Sequence, residues 1–155
     1  MGGIETDGVR ADASVASLLL EDQMCFALYA AQRAMTNRYR PLLDEFDLTY
    51  PQYLVLLVLW EHRAVPIKTL GALLQLDYGT LTPLLKRMET HGLIRRERQV
   101  EDERSVLVTL TEQGAGLRER ARAIPAAMGE AVGFSPQQFE DTKSLLERLT
   151  VNLRT

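Results

Sequence analysis

The chain has 155 residues, of which 46% are hydrophobic and 25% are charged, so it can bury one core and is expected to fold as one domain. Its longest apolar run, residues 53–60, is far shorter than the roughly 20 residues that span a membrane, so no membrane is expected among its partners. A single cysteine permits no intrachain disulfide, and no secretory signal is visible, which together predict a cytoplasmic protein.

Positive charge is concentrated in one part of an otherwise acidic chain. The formal net charge is −3, yet residues 63–98 carry seven Lys or Arg against three Asp or Glu, a local net charge of +4. The remaining residues therefore carry −7. A clustered positive region of this kind is typical of a nucleic-acid-binding surface.

Three helices are predicted in the first half of the chain, after a flexible leader at residues 1–13. The first is expected over residues 14–40, ending before Pro41, and it is apolar on too much of its circumference for a lone surface helix. It therefore needs the core plus another helix, or another subunit, as a second partner. Thr49 with Pro51 starts the second helix, and Pro66 opens the third. The residues predicted to face inward on the second and third helices are Tyr53, Leu56, Leu57, Trp60, Leu70, Leu73 and Leu74.

The pattern of residues 67–110 is that of a winged helix-turn-helix. Its second helix places apolar residues at i, i+3, i+4 and i+7, which gathers them on one inward face. The opposite face is small and polar, so it can approach base edges, although an ordinary solvated surface looks the same. Pro83 lacks the N–H of an interior helical residue, so the helix starts either near Thr80 or at Asp77 with a kink. The inward residues are Leu81, Leu84, Leu85 and Met88, and the outward ones Gly79, Thr82, Pro83 and Lys86.

A charged hairpin is predicted after this helix. Gly92 is a left-handed helix end, and the β-rich runs 93–99 and 105–110 flank a Val-Glu-Asp-Glu-Arg tip. Arg104 at the tip is expected to enter a narrow minor groove, where negative potential favours arginine. The arginines expected to flank phosphates are Arg95, Arg96 and Arg98, and the acids expected to orient Arg104 are Glu101, Asp102 and Glu103.

Two more helices complete the predicted chain. Thr111 caps a helix that is interrupted or bent at Pro125, and Ser135 with Pro136 starts the last one. The last helix and the first are assigned to a dimer interface, with packing inside one chain as the alternative. A dimer would hold the two recognition helices, the reading helix of each subunit, about 34–36 Å apart, which is the spacing of successive major grooves. The apolar stripe of the last helix is Phe139, Leu145, Leu146, Leu149 and Leu153.

Residues 19–123 resemble the MarR family of bacterial regulators, and in particular the organic hydroperoxide resistance regulators (OhrR). The segments that carry the resemblance are EDQMCFALYAAQRAMTNRYRPLLDEFDLTYPQYLVLLVLWEH, LDYGTLTPLLKRMETHGLI and EDERSVLVTLTEQG. It implies a mainly α fold with a small β-ribbon, in one MarR-type domain over residues 14–155. The winged helix-turn-helix would occupy residues 49–111, and residues 14–48 and 112–155 would form dimerisation helices.

The resemblance also implies a reactive thiol at Cys25, with Tyr29 and Tyr39 as its hydrogen-bonding phenols. Tyr29 lies four residues from Cys25 on the same helix face, and a phenol O–H donated to sulfur favours the thiolate. Tyr39 is too far along the helix, but the partner subunit's Tyr39 could reach. A lone cysteine on an apolar helix is otherwise usually an inert small hydrophobe.

The implied DNA contacts lie on the reading helix and the ribbon. A serine is more usual in the family where Tyr78 stands. The full set is Asp77, Tyr78, Gly79, Thr80, Thr82, Pro83, Lys86, Arg87, Arg95, Arg96, Asp102 and Arg104.

The predicted function is a redox-sensing repressor without a cofactor. The reduced homodimer binds double-stranded, palindromic operator DNA until an organic hydroperoxide oxidises Cys25 to a sulfenic acid. With no second cysteine, a low-molecular-weight thiol or another chain must then form the mixed disulfide.

Other interpretations of the sequence predict a different function. A sister regulator would be released by a phenolic or carboxylate ligand, with Cys25 incidental, and a thiol peroxidase would need turnover and a cation beside the thiol. A metal sensor is disfavoured because His62 and His91 have no companions at ligand spacing.

Overall fold

The computed structural model describes residues 17–100 and 105–154. This part of the chain is mainly helical with one small antiparallel sheet, which confirms the predicted fold class. Contacts divide the chain into two compact units, one ending at Asn37 and the other beginning at Arg38. No helix in the described ranges is long and apolar enough to cross a membrane. The elements are a 3-10 turn at Leu20–Asp22, then α1 Met24–Asp44, α2 Tyr50–His62, β1 Ala64–Pro66, α3 Ile67–Leu74, α4 Tyr78–Thr90, β2 Ile94–Arg98, β3 Val106–Leu110, α5 Glu112–Ala121, α6 Ala123–Val132 and α7 Pro136–Asn152.

The predicted bounds of the first helix are wrong at both ends. Residues 14–16 lie outside the described residues; of the described residues before Met24, only Leu20–Asp22 form a helical turn, and the α-helix continues through Pro41 to Asp44. A proline inside a helix removes one hydrogen bond. The carbonyl that loses its partner belongs to Asn37, which is exposed, so water can satisfy it.

Helix α2 lies at the centre of the second unit. Thr49 and Gln52 form a reciprocal capping box at its start, which confirms the predicted helix start. Val55, Leu56 and Leu59 have no exposed surface. Two residues predicted to face inward are instead exposed. They are Leu57 on α2, with 40% of its surface exposed, and Leu73 on α3, with 52%.

The predicted hairpin forms, but the sheet has a third strand. The strand order is β1-β3-β2, with Val65 opposite Val108 and Arg96 also opposite Val108 on the other side. β1 is only three residues long and ends at Pro66, so its sequence carries no alternating pattern. A proline is tolerated there because β1 is an edge strand.

Close packing near Gly92 and Gly114 joins the ribbon to α5. Gly92 has φ +74°, which confirms the predicted left-handed helix end. The Thr111 hydroxyl donates to the Gly92 carbonyl at 2.6 Å and accepts from the Gly114 N–H at 3.0 Å. A Cβ at Gly114 would lie 2.1 Å from the Leu93 carbonyl oxygen, so only glycine fits. Trp60 donates to the Gly114 carbonyl at 2.9 Å and ties α2 to the same corner.

The C-terminal helices follow the predicted pattern. α5 ends at Ala121 and α6 begins at Ala123, because Pro125 has no N–H for the Ala121 carbonyl. Ser135 and Gln138 form the capping box of α7. α7 buries none of its residues in the single chain, so packing inside one chain does not account for its apolar stripe.

Candidate DNA-binding surface and thiol site

Asp77 fixes the start of α4, the predicted DNA-recognition helix. Its carboxylate accepts a hydrogen bond from the Thr80 N–H at 2.8 Å and another from the Thr80 hydroxyl at 2.9 Å. Both bonds favour the ionised form and lower the pKa of Asp77. The helix therefore begins at Tyr78 rather than near Thr80, and Pro83 lies inside it.

The two faces of α4 divide largely as predicted. Leu81, Leu84, Leu85 and Met88 are buried, while Tyr78, Gly79, Thr80, Pro83, Lys86 and Arg87 are exposed. Thr82 differs from the prediction because it is half-buried. Its hydroxyl oxygen is shielded from solvent and has no hydrogen-bond partner in the described structure. The Thr82 hydroxyl therefore cannot contact a base edge, and only the other atoms of this side chain could do so.

The arginines of β2 have different environments. Arg95 and Arg98 are exposed, whereas Arg96 is half-buried and forms an ion pair with Glu89 of α4. One Glu89 oxygen accepts from the Arg96 backbone N–H at 2.9 Å. The other accepts from Nε at 3.0 Å and from Nη2 at 2.8 Å. These bonds hold the pKa of Glu89 below its ordinary value.

The Glu89–Arg96 pair gives Arg96 a contact within the protein that the sequence does not predict. From the sequence, Arg96 is expected to contact phosphate like its neighbours, and no role is predicted for Glu89. The available signal was an acidic residue in the last turn of a helix, where the helix dipole disfavours negative charge and a cationic partner is needed. The pair joins the reading helix to the edge strand of the ribbon.

The tip of the ribbon lies outside the described residues. Asp102 and Arg104, the predicted wing pair, fall there, as do Glu101 and Glu103. Their assignment to DNA contact and to orientation of Arg104 remains a prediction.

Cys25 is exposed in the first turn of α1. Tyr29, one helical turn further on, has 54% of its surface exposed. Its hydroxyl oxygen accepts a hydrogen bond from Nη1 of Arg33 at 3.2 Å, and the guanidinium carbon lies 5.5 Å from the ring centroid. In the described part of this single chain no hydrogen bond joins Cys25 to Tyr29. Because the Tyr29 oxygen is the acceptor in the bond from Arg33, this bond does not use the hydroxyl hydrogen of Tyr29.

Tyr39, in the second unit, belongs to an aromatic cluster. Its ring centroid lies 4.8 Å from that of Tyr50 and 6.0 Å from that of Tyr53, which in turn lies 6.3 Å from Trp60. Burial raises the pKa of Tyr39, with a further contribution from Tyr50, and the pKa of Tyr53 rises to about 12. Tyr39 is therefore a phenol, able to donate a hydrogen bond, at any physiological pH. The sequence does not predict the contacts of Tyr50 and Tyr53 with Tyr39.

No group of three or more potential metal ligands occurs among the described side chains.

Comparison with known proteins identifies the family. A model of the SarA/Rot transcriptional regulators matches residues 37–120. The chain is also 56% identical over 136 residues to the organic hydroperoxide resistance transcriptional regulator of Bacillus subtilis, covering 88% of this chain and 90% of the relative. The chain belongs to the MarR family of transcriptional regulators, in its OhrR group. This OhrR-group regulator has one cysteine in its sequence.

Two solved structures of a related regulator share its fold. Reduced AbfR bound to DNA has a TM-score of 0.74 and 35% identity, covering 88% of this chain and 95% of that one. Overoxidised AbfR bound to DNA has a TM-score of 0.72 and 36% identity, covering 86% and 94%. AbfR comes from Staphylococcus epidermidis. The winged helix-turn-helix of the present OhrR-group regulator is thus confirmed.

Proposed function

We propose that this OhrR-group regulator is a repressor whose reduced dimer binds a palindromic operator and releases it after an organic hydroperoxide has oxidised Cys25. The observation that carries the proposal is the exposure of its single cysteine in the first turn of α1. A thiolate is the form that attacks peroxides, and an exposed thiol is accessible to them. The Bacillus subtilis relative, which this chain matches over most of its length, is named for organic hydroperoxide resistance.

The DNA contacts are proposed on the exposed face of α4 and on β2. Tyr78, Gly79 and Thr80 form the first turn of α4 and would meet base edges, since the first residues of a recognition helix usually do so. Pro83 and the half-buried Thr82 would add apolar contact. Phosphate contacts are proposed for Lys86, Arg87, Arg95 and Arg98, which are all exposed cations. Asp77 acts as the helix cap, and Asp102 and Arg104 keep their predicted role at the tip.

The dimer interface is proposed on α7 together with α1. α7 presents Phe139, Leu145 and Leu153 with 51%, 57% and 76% of their surfaces exposed. In α1, Met24 and Met35 are 63% and 45% exposed. Apolar surface of this extent on two helices is costly to leave in water and is typical of an association surface.

The redox step consumes one peroxide per thiol. The Cys25 thiolate attacks the terminal oxygen of the hydroperoxide, an S–O bond forms, the O–O bond breaks, and the departing alkoxide takes up a proton as the alcohol. A low-molecular-weight thiol then attacks the sulfenic sulfur and expels water to form a mixed disulfide. Donation from Tyr29, and from the partner subunit's Tyr39, would stabilise the thiolate before the attack.

The mixed disulfide is the proposed releasing form. Overoxidised AbfR is bound to DNA in its solved structure, so in that relative added oxygen is compatible with DNA binding. A bulky adduct on Cys25 would instead displace the helix that carries it and change the spacing of the two reading helices.

The proposal is tested by replacing Cys25 with serine. Cys25→Ser should bind operator DNA with the affinity of the reduced protein and stay bound after cumene hydroperoxide and a small thiol are added. Ala27→Ser is the matched control, because it places a serine at a neighbouring exposed position of the same helix and keeps Cys25, so peroxide-induced release should stay intact. Release of the Cys25→Ser protein by peroxide would contradict the proposal.

A ligand-released repressor is the second candidate. A groove of about 890 Å³ is lined by α3, the start of α4 and β3, with Lys68 and Arg154 as its cations. Those cations suit a carboxylate. Release of the Cys25→Ser protein by an aromatic acid would support this candidate, and no effect of such acids would exclude it.

A further inference from the structure

We infer that Arg154, which follows the end of α7, is a phosphate contact of the DNA-binding surface and that Gln75 positions it. The inference rests on the function proposed above and adds a contact from the far end of the chain. Nη2 of Arg154 donates to the side-chain oxygen of Gln75 at 2.7 Å. Gln75 ends α3 in the left-handed conformation, with φ +57°, and begins the turn that leads to the reading helix α4. The last described residue of the chain is therefore attached to the turn before the reading helix.

Arg154 also lines the groove of about 890 Å³ between α3, the start of α4 and β3. Tyr78, the first residue of α4 and a proposed base contact, lines the same groove. So does Ser105, which directly follows Arg104 of the predicted wing tip. A duplex that meets both the reading helix and the wing passes the groove between them. Arg154 and Lys68, the two cations of this groove, then lie beside the DNA backbone.

The charge of the groove suits a phosphate. Among the described residues that line it, none is an Asp or Glu. The nearby carboxylate of Asp77 accepts two hydrogen bonds from Thr80. Arg154 and Lys68 are both exposed, and neither forms an ion pair with a described residue. Both cations can therefore contact phosphate oxygens, which are the usual partners of Arg and Lys on DNA, without leaving a partner ion.

Gln75 can position Arg154 without using up its binding capacity. A guanidinium has five N–H donors, and the bond to Gln75 uses one of them. The remaining donors allow the two parallel bonds that arginine forms with phosphate. The Gln75 amide is neutral, so it leaves the positive charge of Arg154 uncompensated. Gln75 is therefore a positioning residue, and Arg154 is the contact.

Two other roles of Arg154 predict different binding. If Arg154 blocks the groove, DNA must displace it, and its removal should tighten binding. If Arg154 only ties α7 to the turn, its removal should weaken binding without changing the number of phosphate contacts. The dependence of affinity on salt measures that number and separates the three roles.

The test measures the affinity of the reduced protein for operator DNA over a range of salt, by fluorescence anisotropy and without peroxide. Arg154→Gln should weaken binding about two- to fivefold for each subunit, the range of an exposed ion pair. It should also lower the slope of log affinity against log salt by about 0.9 for each subunit. Affinity for an unrelated duplex should fall by the same factor, because a phosphate contact reads no sequence. Arg148→Gln is the matched control, because it removes an exposed arginine of α7 that does not line the groove, and it should keep the wild-type affinity and slope.

Gln75→Met tests the positioning role, since it keeps the length of the side chain and removes the acceptor oxygen. It should weaken binding less than Arg154→Gln does, at the wild-type slope, and should add no loss in the Arg154→Gln background. Tighter binding of Arg154→Gln, weaker binding at the wild-type slope, or equal results for Arg154→Gln and Arg148→Gln would overturn the inference. Because these measurements use reduced protein, such a failure differs from that of the proposed function, in which peroxide releases Cys25→Ser.

Discussion

Glu89→Gln separates two roles for Arg96, an anchor of the ribbon and a contact to phosphate. The Glu89 carboxylate receives three hydrogen bonds from Arg96, at 2.8, 2.9 and 3.0 Å. The Arg96 and Glu89 side chains are 24% and 36% exposed, so the pair is neither buried nor fully solvated. A bond to a charged group contributes about 1.5–3 kcal/mol when buried, and an exposed ion pair about 0.2–1 kcal/mol.

These limits place the whole interaction near 2 kcal/mol of unfolding free energy, discounted for exposure. An amide keeps one acceptor oxygen, so Glu89→Gln should lose about 1 kcal/mol, measured by urea unfolding. The pH dependence has a definite sign. Because the folded-state pKa of Glu89 is lowered, its stabilisation is complete above the unfolded-state value and is lost as pH falls through the folded value. Glu89→Gln should remove this loss from the acid limb.

Operator binding provides the decisive assay. Removing a negative charge from the DNA-binding unit should tighten binding if only long-range electrostatics acts. If Glu89 anchors the edge strand β2, binding should weaken about three- to tenfold, with the salt dependence unchanged because no phosphate contact is lost. Arg95→Gln is the matched comparison, since loss of a phosphate contact should lower the slope of log affinity against log salt by about 0.9. If Glu89→Gln binds operator DNA more tightly, with a steeper dependence of log affinity on log salt, Glu89 does not anchor β2 and Arg96 contacts phosphate instead.

Three further substitutions test the local structure. Gly114→Ala should cost about 3 kcal/mol of unfolding free energy, because its Cβ would lie 2.1 Å from the Leu93 carbonyl oxygen. Gly116→Ala is the control and should not destabilise, because a Cβ there meets nothing within 4 Å; equal losses in the two variants would contradict this packing. Thr82→Val removes an unpaired, shielded hydroxyl and should raise stability by about 1 kcal/mol without changing operator affinity, whereas weaker binding would show that the hydroxyl reads DNA. Asp77→Asn should keep the helix cap while removing its pH dependence. The Asp77 carboxylate stabilises the fold fully above its unfolded-state pKa, and this stabilisation is lost as pH falls through the lowered folded-state pKa. An acid transition that is the same in the variant and in the wild type would contradict the assignment.

The winged helix-turn-helix was predictable because local signals agreed with each other. The buried spacing of Leu81, Leu84 and Met88, the left-handed Gly92 and the capping of α5 by Thr111 each act over a few residues, and the structure contains all of them. Sequence also located the break before Pro125, since a missing N–H has the same consequence wherever it occurs.

What the sequence did not show depends on distant partners or on solvent. β1 is a strand only because β3 lies beside it, and three residues carry no period of their own. The helix passes through Pro41, and the exposure of Asn37, which lets water satisfy its carbonyl, cannot be read from the pattern. The environment of Arg96 depends on Glu89, seven residues away in another element. Likewise, the cluster around Tyr39 is formed by α2 and could not be read from the helix that carries Tyr39.

Chemistry at the Cys25 sulfur is proposed to control the affinity of the dimer for operator DNA. In one sample, fluorescence anisotropy follows operator release while intact mass reports the state of Cys25, after one equivalent of cumene hydroperoxide and then a small thiol. One alcohol should form per oxidised cysteine, and DNA should be lost in step with formation of the mixed disulfide. DNA release from protein with an unmodified Cys25, or complete disulfide formation with the operator still bound at full affinity, would contradict it.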